Sequence, residues 1–494
     1  MGIISSLDNV KFIRSTGSVV LCHGVFDVLH DGHLNYFEEA KKLGKYLVVS
    51  VTEDRYVNKG PSRPYFDQKT RARMLAALNV IDYVILNTEP KACNVIKAIR
   101  PSFYVKGAEY KIRNDVTKGI EEEEAAIKEV GGEMVYIDAP TNSSSKIINS
   151  VLSNFSTEQS SVLNEIKSLG GMDKISECFD KIKELYITVA GEPIVDTYVF
   201  CVPEGISSKS PTISARYSSQ ENYAGGSLAI ANHIVDFVKE LHLHTVCGHE
   251  QFYQSVKKAS IDKRIINHET VIADYTTPRK TRFIDKDKSQ RVFELTNIND
   301  SMWSKYNPSP FLEEVKESAR NTRNTLLCDF GHGLFEGGML VGLSLLDGFV
   351  ALNCQTNSSN FGFNPYLKHT NYHYLSLDYK EARVAFHDRH SDAKSLFAKI
   401  KCPKVSMTLG PDGAIYKDQE TIFKSPSFAD KVIDAIGAGD AYYAITSLLI
   451  MVDAPLPIIP FVGNIFAGLK TGIIGNKHPV TKEQLFKTLN ALLK

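Results

Sequence analysis

Two short strings hold the residues whose types and spacing could do chemistry. The first is Val432-Ile433-Asp434-Ala435-Ile436-Gly437-Ala438-Gly439-Asp440, followed at once by an apolar run of helical period that includes Tyr442, Ile445, Leu448 and Leu449. Small residues at Gly437, Ala438 and Gly439 let the backbone approach a ligand closely. A glycine loop that opens a helix aims free N–H groups and the positive end of the helix dipole at one spot, which suits a phosphate. Asp440 falls at the helix start, where a carboxylate serves as a cap or as a base. The second string is His23-Gly24-Val25-Phe26-Asp27-Val28-Leu29-His30-Asp31-Gly32-His33. Two imidazoles beside a glycine can donate hydrogen bonds to a polyphosphate and stabilise the charge that builds on it during a displacement. Taken alone, the same pair reads equally as metal ligation or chance.

Placing these residues takes regular elements. Residues 18–22 form a short β-like run, and Leu34, Phe37, Ala40 and Leu43 make one helical stripe that Gly44 ends. Residues 46–51 are a second strand, so the chain opens as strand, loop, helix, strand, the start of a parallel α/β sheet. Residues 151–183 carry helical spacing (Leu163, Ile166, Leu169, then Ile175, Phe179, Ile182) and read as connecting helices. After them, residues 185–190 are a strand, 200–222 strands of a small lid, and Ala224-Gly225-Gly226-Ser227 opens a helix. At 494 residues the chain is long enough for two or three domains. Hydrophobic content of 43% and charged content of 23% are those of a globular protein, and 57 basic against 57 acidic residues give no charge excess for a nucleic-acid or membrane-surface binder. The eight cysteines are scattered with no C-x-x-C pair, which reads as reduced thiols in a cytoplasmic protein. No signal peptide is visible, and the longest apolar stretch is shorter than the ~20 residues a membrane span needs.

The string Asp-x-x-Gly-Ala-Gly-Asp resembles the signature of the ribokinase-like sugar kinases. The resemblance implies that Asp440 takes the proton of the attacking sugar hydroxyl and that Gly437, Ala438 and Gly439 hold the phosphoryl group. Other pieces are similar in order. Gly191-Glu192-Pro193-Ile194-Val195-Asp196 resembles the family's Gly-Asp-x-x-x-Asp, and the resemblance implies that Asp196 holds sugar hydroxyls and that Gly225 and Gly226 let the backbone approach the sugar. Lys280, Arg282 and Arg291 resemble a basic cluster for a sugar that already carries a phosphate. Asp329-Phe330-Gly331-His332-Gly333 resembles Asp-Tyr-Gly-Lys-Gly, and Asp378 to Glu381 resembles the Asn-x-x-Glu box, whose Glu381 organises water around Mg²⁺. Thr408, Gly410 and Gly413 match a nucleotide-contacting Thr-x-Gly-x-x-Gly, and Asn464 lies on the helix where the family stacks adenine. Departures are Ile436 for Thr, Glu192 for Asp, Ala229 for Asn and His332 for Lys.

The first third is similar to the HxGH nucleotidyltransferases, in particular heptose 1-phosphate adenylyltransferases and glycerol-phosphate cytidylyltransferases. Gly24, Phe26, His30 and His33 carry the core of that likeness. Lys59 and Arg63 resemble the substrate-side basic loop, Arg71 precedes the next strand, and Lys106 opens a Lys-Gly-x-Asp-Tyr box in which Glu109 replaces Asp; the resemblance implies that these four basic residues bind nucleotide or phosphate. Ser143, Ser144 and Ser145 resemble a phosphate loop at a helix start.

Together the resemblances imply an α/β chain with a Rossmann-like HxGH nucleotidyltransferase domain (1–152), a helical linker (153–183) and a ribokinase-like domain with a small β lid (184–494). The pairing resembles the bifunctional ADP-heptose synthases, with the transferase first. It implies ATP-dependent phosphorylation of D-glycero-D-manno-heptose 7-phosphate at C1, then nucleotidyl transfer to heptose 1-phosphate with ATP and release of pyrophosphate. Mg²⁺ is the implied cofactor, a homodimer the implied assembly, and lipopolysaccharide or capsule the implied destination. The alternatives are another sugar or polyol phosphate with CTP, or one half that is regulatory and not catalytic.

Overall fold

The computed structural model describes residues 2–57, 64–108, 119–137, 155–288, 290–299, 303, 306–358, 360–429 and 432–493. Lys59, Arg63, Glu109, Ser143, Ser144 and Ser145 lie outside the described residues. The chain divides into two compact units, one of residues 1–155 with 486–494, the other of residues 156–485.

The first unit is built on a six-stranded sheet, Ile3–Ile4, Tyr83–Asn87, Tyr46–Thr52, Val19–Gly24, Phe103–Gly107 and Glu133–Ile137 in spatial order. Every neighbouring pair is parallel. Parallel strands need crossover helices, and these cover both faces of the sheet. The run Val19-Val20-Leu21-Cys22 shows it: Val19 and Leu21 pack into one cluster with Ile96, Tyr104 and Ile127, while Val20 and Cys22 pack into another with Phe37, Val49 and Leu75. Successive strand side chains point to opposite faces, so a strand buried on both must be apolar throughout.

The second unit carries a nine-stranded sheet. In spatial order its strands are Ile266–Val271, Glu240–Cys247, Tyr186–Gly191, Asn324–Asp329, Phe349–Cys354, Tyr374–Asp378, Lys404–Thr408, Ala414–Asp418 and Thr421–Ser425. The first seven run parallel, the eighth pairs antiparallel with the seventh, and the ninth antiparallel with the eighth. A separate four-stranded sheet of Gln290–Asn297, Arg279–Asp285, Pro193–Ile206 and Ile213–Gly226 is the expected small lid. Helix Ala438–Met451 is buried along almost its whole length. Tyr443 aims its hydroxyl at the carbonyls of Leu327 and Ala351, and Thr446 meets the hydroxyl of Tyr374, so the helix is fixed to three adjacent strands.

The two helices expected in the linker, Thr157–Ser168 and Gly171–Ile182, fall within the second unit. A capping box of Ser156 and Gln159 starts the first of them. The Gln159 amide also donates to the Ser427 carbonyl at 2.7 Å, and Glu158 pairs with Lys424.

Candidate active sites

In the first unit the chain proceeds from strand Val19–Gly24 to one side of the sheet and later returns to place Phe103–Gly107 on its other side. The carboxyl ends of those two strands flank a topological switch point, where open α/β sheets leave a crevice for ligands. Residues 25–30 leave the first strand at that crevice, and helix Asp31–Lys41 begins there with His30 as its N-cap. His30 makes no side-chain capping bond, so its ring is available for something else. The His30 and His33 rings stack with centroids 3.9 Å apart. Phe26 holds the left-handed φ of 48°, rare outside glycine, and turns its ring edge-on to His33 at 5.5 Å. A Cβ on Gly24 would lie 3.0 Å from the Phe26 ring, so the glycine makes room for that ring. Burial lowers the His30 pKa, against the pull of Asp31, and both its ring nitrogens are buried without a hydrogen-bond partner among the described residues. A buried unpaired polar atom costs about 1–3 kcal/mol, which a bound phosphate would recover.

Arg71 departs from expectation. It is fully buried, and its guanidinium donates to the carbonyls of Phe66 (3.0 Å), Val25 (2.5 Å) and Thr52 (2.8 Å) and to the Asp54 carboxylate (2.6 Å). Four committed donors leave it no fork for a phosphate, so the expected phosphate contact is replaced by a structural role that ties the histidine loop to its neighbours. Asp27 works beside it: the buried carboxylate accepts from the N–H groups of Tyr65 and Phe66. Asp27 stood in the quoted motif, yet nothing in its spacing pointed to that partner. Lys106 sits at the end of its strand, 2.8 Å from Glu123, and both side chains are largely buried. Burial raises the Glu123 carboxyl, but the Lys106 charge and that of His23 outweigh it and hold the group low.

In the second unit the switch point lies between Tyr186–Gly191 and Asn324–Asp329. Parallel register aligns the strand ends there: Asp329 opposes Cys354, and Asp378 opposes Thr408. Glu192, fully buried, accepts from the backbone N–H groups of Phe330 (2.6 Å), His332 (2.8 Å) and Leu334 (3.0 Å). The residue that departs from the family pattern thus shapes the 330–334 turn. Burial, with the nearby Asp329 carboxylate, pushes its pKa up.

Asp440 lies in the first turn of helix Ala438–Met451, behind Gly437, whose φ is 76°. The Gln355 amide donates to its Oδ1 at 2.5 Å. Burial raises Asp440 to about 6, with Asp196 adding repulsion and Gln355, Lys470 and Lys280 opposing. The first N–H groups of a helix lack intrahelical acceptors. Ala438 spends its own on the Ala435 carbonyl at 3.3 Å, whereas a Cβ on Gly439 would meet open space. Two residues that were not singled out hold this loop. Asp434 accepts from Tyr198, Gly475 and Ile436, and the buried Lys470 ammonium donates to the Ile436 carbonyl at 2.8 Å.

Asp196 is buried with one carboxylate oxygen on Arg282, and its other oxygen lies where a Cβ on Gly225 would be. Gly226 holds a φ of 61° and caps helix Ser227–Ile234. Arg282 pairs with Asp196 and with Glu294 at 2.9 Å, so it is not free for a substrate phosphate as expected. Arg291 is half exposed and 4.0 Å from Asp434. Lys280 alternates with Arg282 on one strand face and has no ion pair among the described residues. Asn464 is also corrected: its amide donates to the carbonyls of Ser425 and Pro426, which fastens helix Ile458–Thr471 to a strand end. Thr408, Gly410 and Gly413 end the seventh parallel strand, with φ of 63° and 88° at the two glycines.

Glu381 accepts from the N–H groups of Asp378 (2.7 Å) and Thr356 (3.1 Å), and burial followed by Asp378 and Asp440 raises it to about 8. A buried carboxyl raised partly by neighbouring carboxylates suits a divalent cation, which relieves that repulsion. Asp329, Cys354 and His369 also come within metal-ligand range. There, however, Asp329 already binds Lys368 at 2.8 Å and His369 at 2.7 Å, and an ammonium ion disfavours a second cation.

Comparison with known proteins agrees with this division. Residues 21–150 match the family model described as cytidylyltransferase-like, and residues 358–450 match the pfkB family carbohydrate kinase. Two separate segments of the chain are thus similar to two different families, one in each unit. Among curated relatives, the bifunctional protein HldE of Campylobacter fetus is 44% identical over 110 residues, 22% of this chain and 24% of that one. Its counterpart in Methylobacillus flagellatus is 41% identical over 153 residues, 30% of each. The matched part thus spans less than a third of these relatives. Of solved structures, phosphofructokinase-2 from Escherichia coli covers 63% of this chain and 100% of its own at 13% identity and a TM-score of 0.49, a likeness too low to argue from. No helix among the described residues is long and apolar enough to cross a membrane.

Proposed function

We propose that the chain is a bifunctional enzyme of nucleotide-activated heptose synthesis. The kinase domain phosphorylates C1 of D-glycero-D-manno-heptose 7-phosphate with ATP, a separate phosphatase removes the 7-phosphate, and the transferase domain joins heptose 1-phosphate to a nucleotide with release of pyrophosphate. The observation that carries this reading is Asp440, a carboxyl raised to about 6 at the mouth of a glycine-opened helix, in a chain that also presents the paired imidazoles of His30 and His33 at a second switch point. The name of the HldE relatives, bifunctional, supports the pairing.

In the kinase, Asp440 accepts the hydroxyl proton as C1 oxygen attacks, and a pKa near 6 keeps it ionised yet basic at neutral pH. The Gly439 N–H and the helix dipole stabilise the moving phosphoryl group. Glu381 is the residue to hold Mg²⁺ through water, and the ion would neutralise nucleotide phosphate charge. Asp196, steadied by Arg282, orients sugar hydroxyls, and Thr408, Gly410 and Gly413 line the nucleotide side. In the transferase the sugar phosphate attacks in line, and His30 and His33 donate to the charge on the nucleotide phosphates. We place the enzyme in the cytoplasm, where its eight free cysteines stay reduced, and take it to be a homodimer.

Phosphorus NMR of two separate reactions with Mg²⁺ tests the reading. ATP with heptose 7-phosphate should give the 1,7-bisphosphate, and heptose 1-phosphate with ATP should give an ADP-sugar and pyrophosphate. Turnover only with CTP moves the transferase to the cytidylyl branch, and no sugar product in either reaction refutes the heptose assignment.

A further inference from the structure

Lys470 is fully buried in the last turn of helix Ile458–Thr471, against the glycine loop that opens helix Ala438–Met451. Loop and helix end are laced together. The Thr471 carbonyl accepts from the N–H groups of Ile433 (2.8 Å) and Asp434 (3.0 Å), and the Asp434 carboxylate accepts from the Gly475 N–H (2.9 Å). The Lys470 ammonium donates to the Ile436 carbonyl at 2.8 Å, its one hydrogen bond among the described residues, where it has no ion pair. A Cβ on Gly437 would lie 3.7 Å from the ammonium nitrogen and 3.0 Å from Asn476 Oδ1, which is buried without a partner among the described residues. A buried ammonium with no carboxylate in contact is costly, and an aliphatic side chain of the same length would avoid that cost.

The three carbonyls at the helix opening all have donors. Ala435 accepts from Ala438 (3.3 Å), Ile436 from Lys470, and Gly437 from Ala441 (3.0 Å). Only the Lys470 donor comes from another element. Across a trans peptide bond the C=O and N–H point opposite ways, so a carbonyl held by Lys470 turns the Gly437 N–H away from the ammonium. That N–H has no acceptor among the described residues. The anions that face Lys470 are Asp434, Asp440 and Asp196; burial lowers the ammonium pKa and these carboxylates oppose the fall. His233 also faces it, pushed to about 3 by burial and by that charge, and is neutral. Asp440 in turn faces Gln355, Asp196, Lys470 and Lys280; burial raises it, and Lys470 is among the groups that limit the rise.

We propose that Lys470 is a built-in counter-cation of the kinase site. It is a positioning residue: through the Ile436 carbonyl it aims the Gly437 N–H at the transferred phosphoryl group, and it fixes a positive charge behind the loop that receives that group. Because an ammonium already occupies the place behind the loop, turnover needs no monovalent cation from solution. The proposal rests on the sugar kinase reading above and adds the charge that completes the glycine loop.

Steady-state kinetics of the full chain test it, with ATP, Mg²⁺ and D-glycero-D-manno-heptose 7-phosphate, fructose 6-phosphate or ribose 5-phosphate as acceptor. Lys470→Met keeps the length and loses the charge. It should lower kinase kcat about 10- to 100-fold, the scale for one charge near a developing charge inside a protein, with KM for the acceptor unchanged. Pyrophosphate release by the transferase should be unchanged. The pH at which kinase kcat/KM levels should move above about 6, since Asp440 then faces Asp196 with one cation fewer. In Lys470→Ala, ammonium or potassium chloride should restore kcat several-fold over tetramethylammonium chloride at equal ionic strength, whereas the natural chain should turn over equally in all three salts. Either the shifted profile or the rescue supports the proposal. Full kcat in Lys470→Met overturns it, and so does a loss with neither a shifted profile nor rescue, the mark of a purely structural lysine. A natural chain that depends on potassium or ammonium overturns it as well, and that measurement needs no variant to fold. If fructose 6-phosphate or ribose 5-phosphate is the acceptor and Lys470→Met shows the same loss, the proposal stands and the heptose assignment falls. If none of the three is phosphorylated, the kinase reading falls and the proposal with it.

Discussion

Asp440 combines two demands that conflict at the level of one side chain. A base must be ionised near neutral pH, yet its site excludes water and stands near a second acid, Asp196, so the ionised form is disfavoured and the pKa rises to about 6. Kinase kcat/KM should therefore rise with pH through about 6 and level above it, read from a pH profile of the partial reaction. Asp440→Asn should lower that reaction by about 10²- to 10⁴-fold and leave pyrophosphate release by the transferase untouched. The same substitution should stabilise the fold. A carboxyl whose folded pKa is raised favours the native state only while protonated, and that contribution is lost as pH rises through about 6. Asparagine keeps an oxygen for Gln355 and has no charge to bury, so above pH 6 the variant should gain about 1–3 kcal/mol in urea melts. A variant both inactive and no more stable would show that Asp440 is not the strained group described.

At the scale of elements, loops are held by buried polar side chains and not by their own turn chemistry. Arg71, on helix Gln68–Ala76, reaches the histidine loop at Val25, the strand end at Thr52 and the turn at Phe66. Glu192 does the same for the 330–334 turn, and Asp434 for the glycine loop before Asp440. Arg71→Met should cost about 3 kcal/mol, the scale for removing one partner of a buried charged network, because it strands several acceptors. Its melt should affect the first unit, and the transferase partial reaction should fall while kinase turnover persists. Equal losses in both reactions would contradict the division into two units.

At the scale of the whole molecule, the second unit buries His244 and His233 and packs further imidazole rings beside the first. His244 stacks on His268 at 4.3 Å and meets Ser318, His268 meets His242, and His242 meets Glu240. Burial, with repulsion from His268 and His242, pushes His244 to about 3, and burial with the charges of Lys470 and His478 pushes His233 to about 3. A histidine with a depressed folded pKa contributes stability that is present above its unfolded value, near 6.5, and lost as pH falls toward the folded one. Each such group removes about 1.4 kcal/mol per pH unit in that window. Calorimetry should therefore show the transition of the second unit dropping steeply between pH 6.5 and about 4, with a shallower fall in His244→Gln. A flat profile would mean that these rings are solvated in solution.

The chemistry was legible in the sequence because it depends on local strings. Helix-opening glycines before Asp440, the His30 and His33 pair, and the apolar runs of doubly covered strands all follow from spacing along the chain, since helix starts and strand faces are set by neighbours a few residues apart. Tertiary structure alone decided which polar side chains remain free. Arg71, Arg282 and Asn464 looked like ligand contacts, but acceptors from distant segments claim them: Val25 and Thr52, Asp196 and Glu294, Ser425 and Pro426. A buried donor must be satisfied by whatever the fold brings within 3 Å or so, and no spacing rule specifies what that will be.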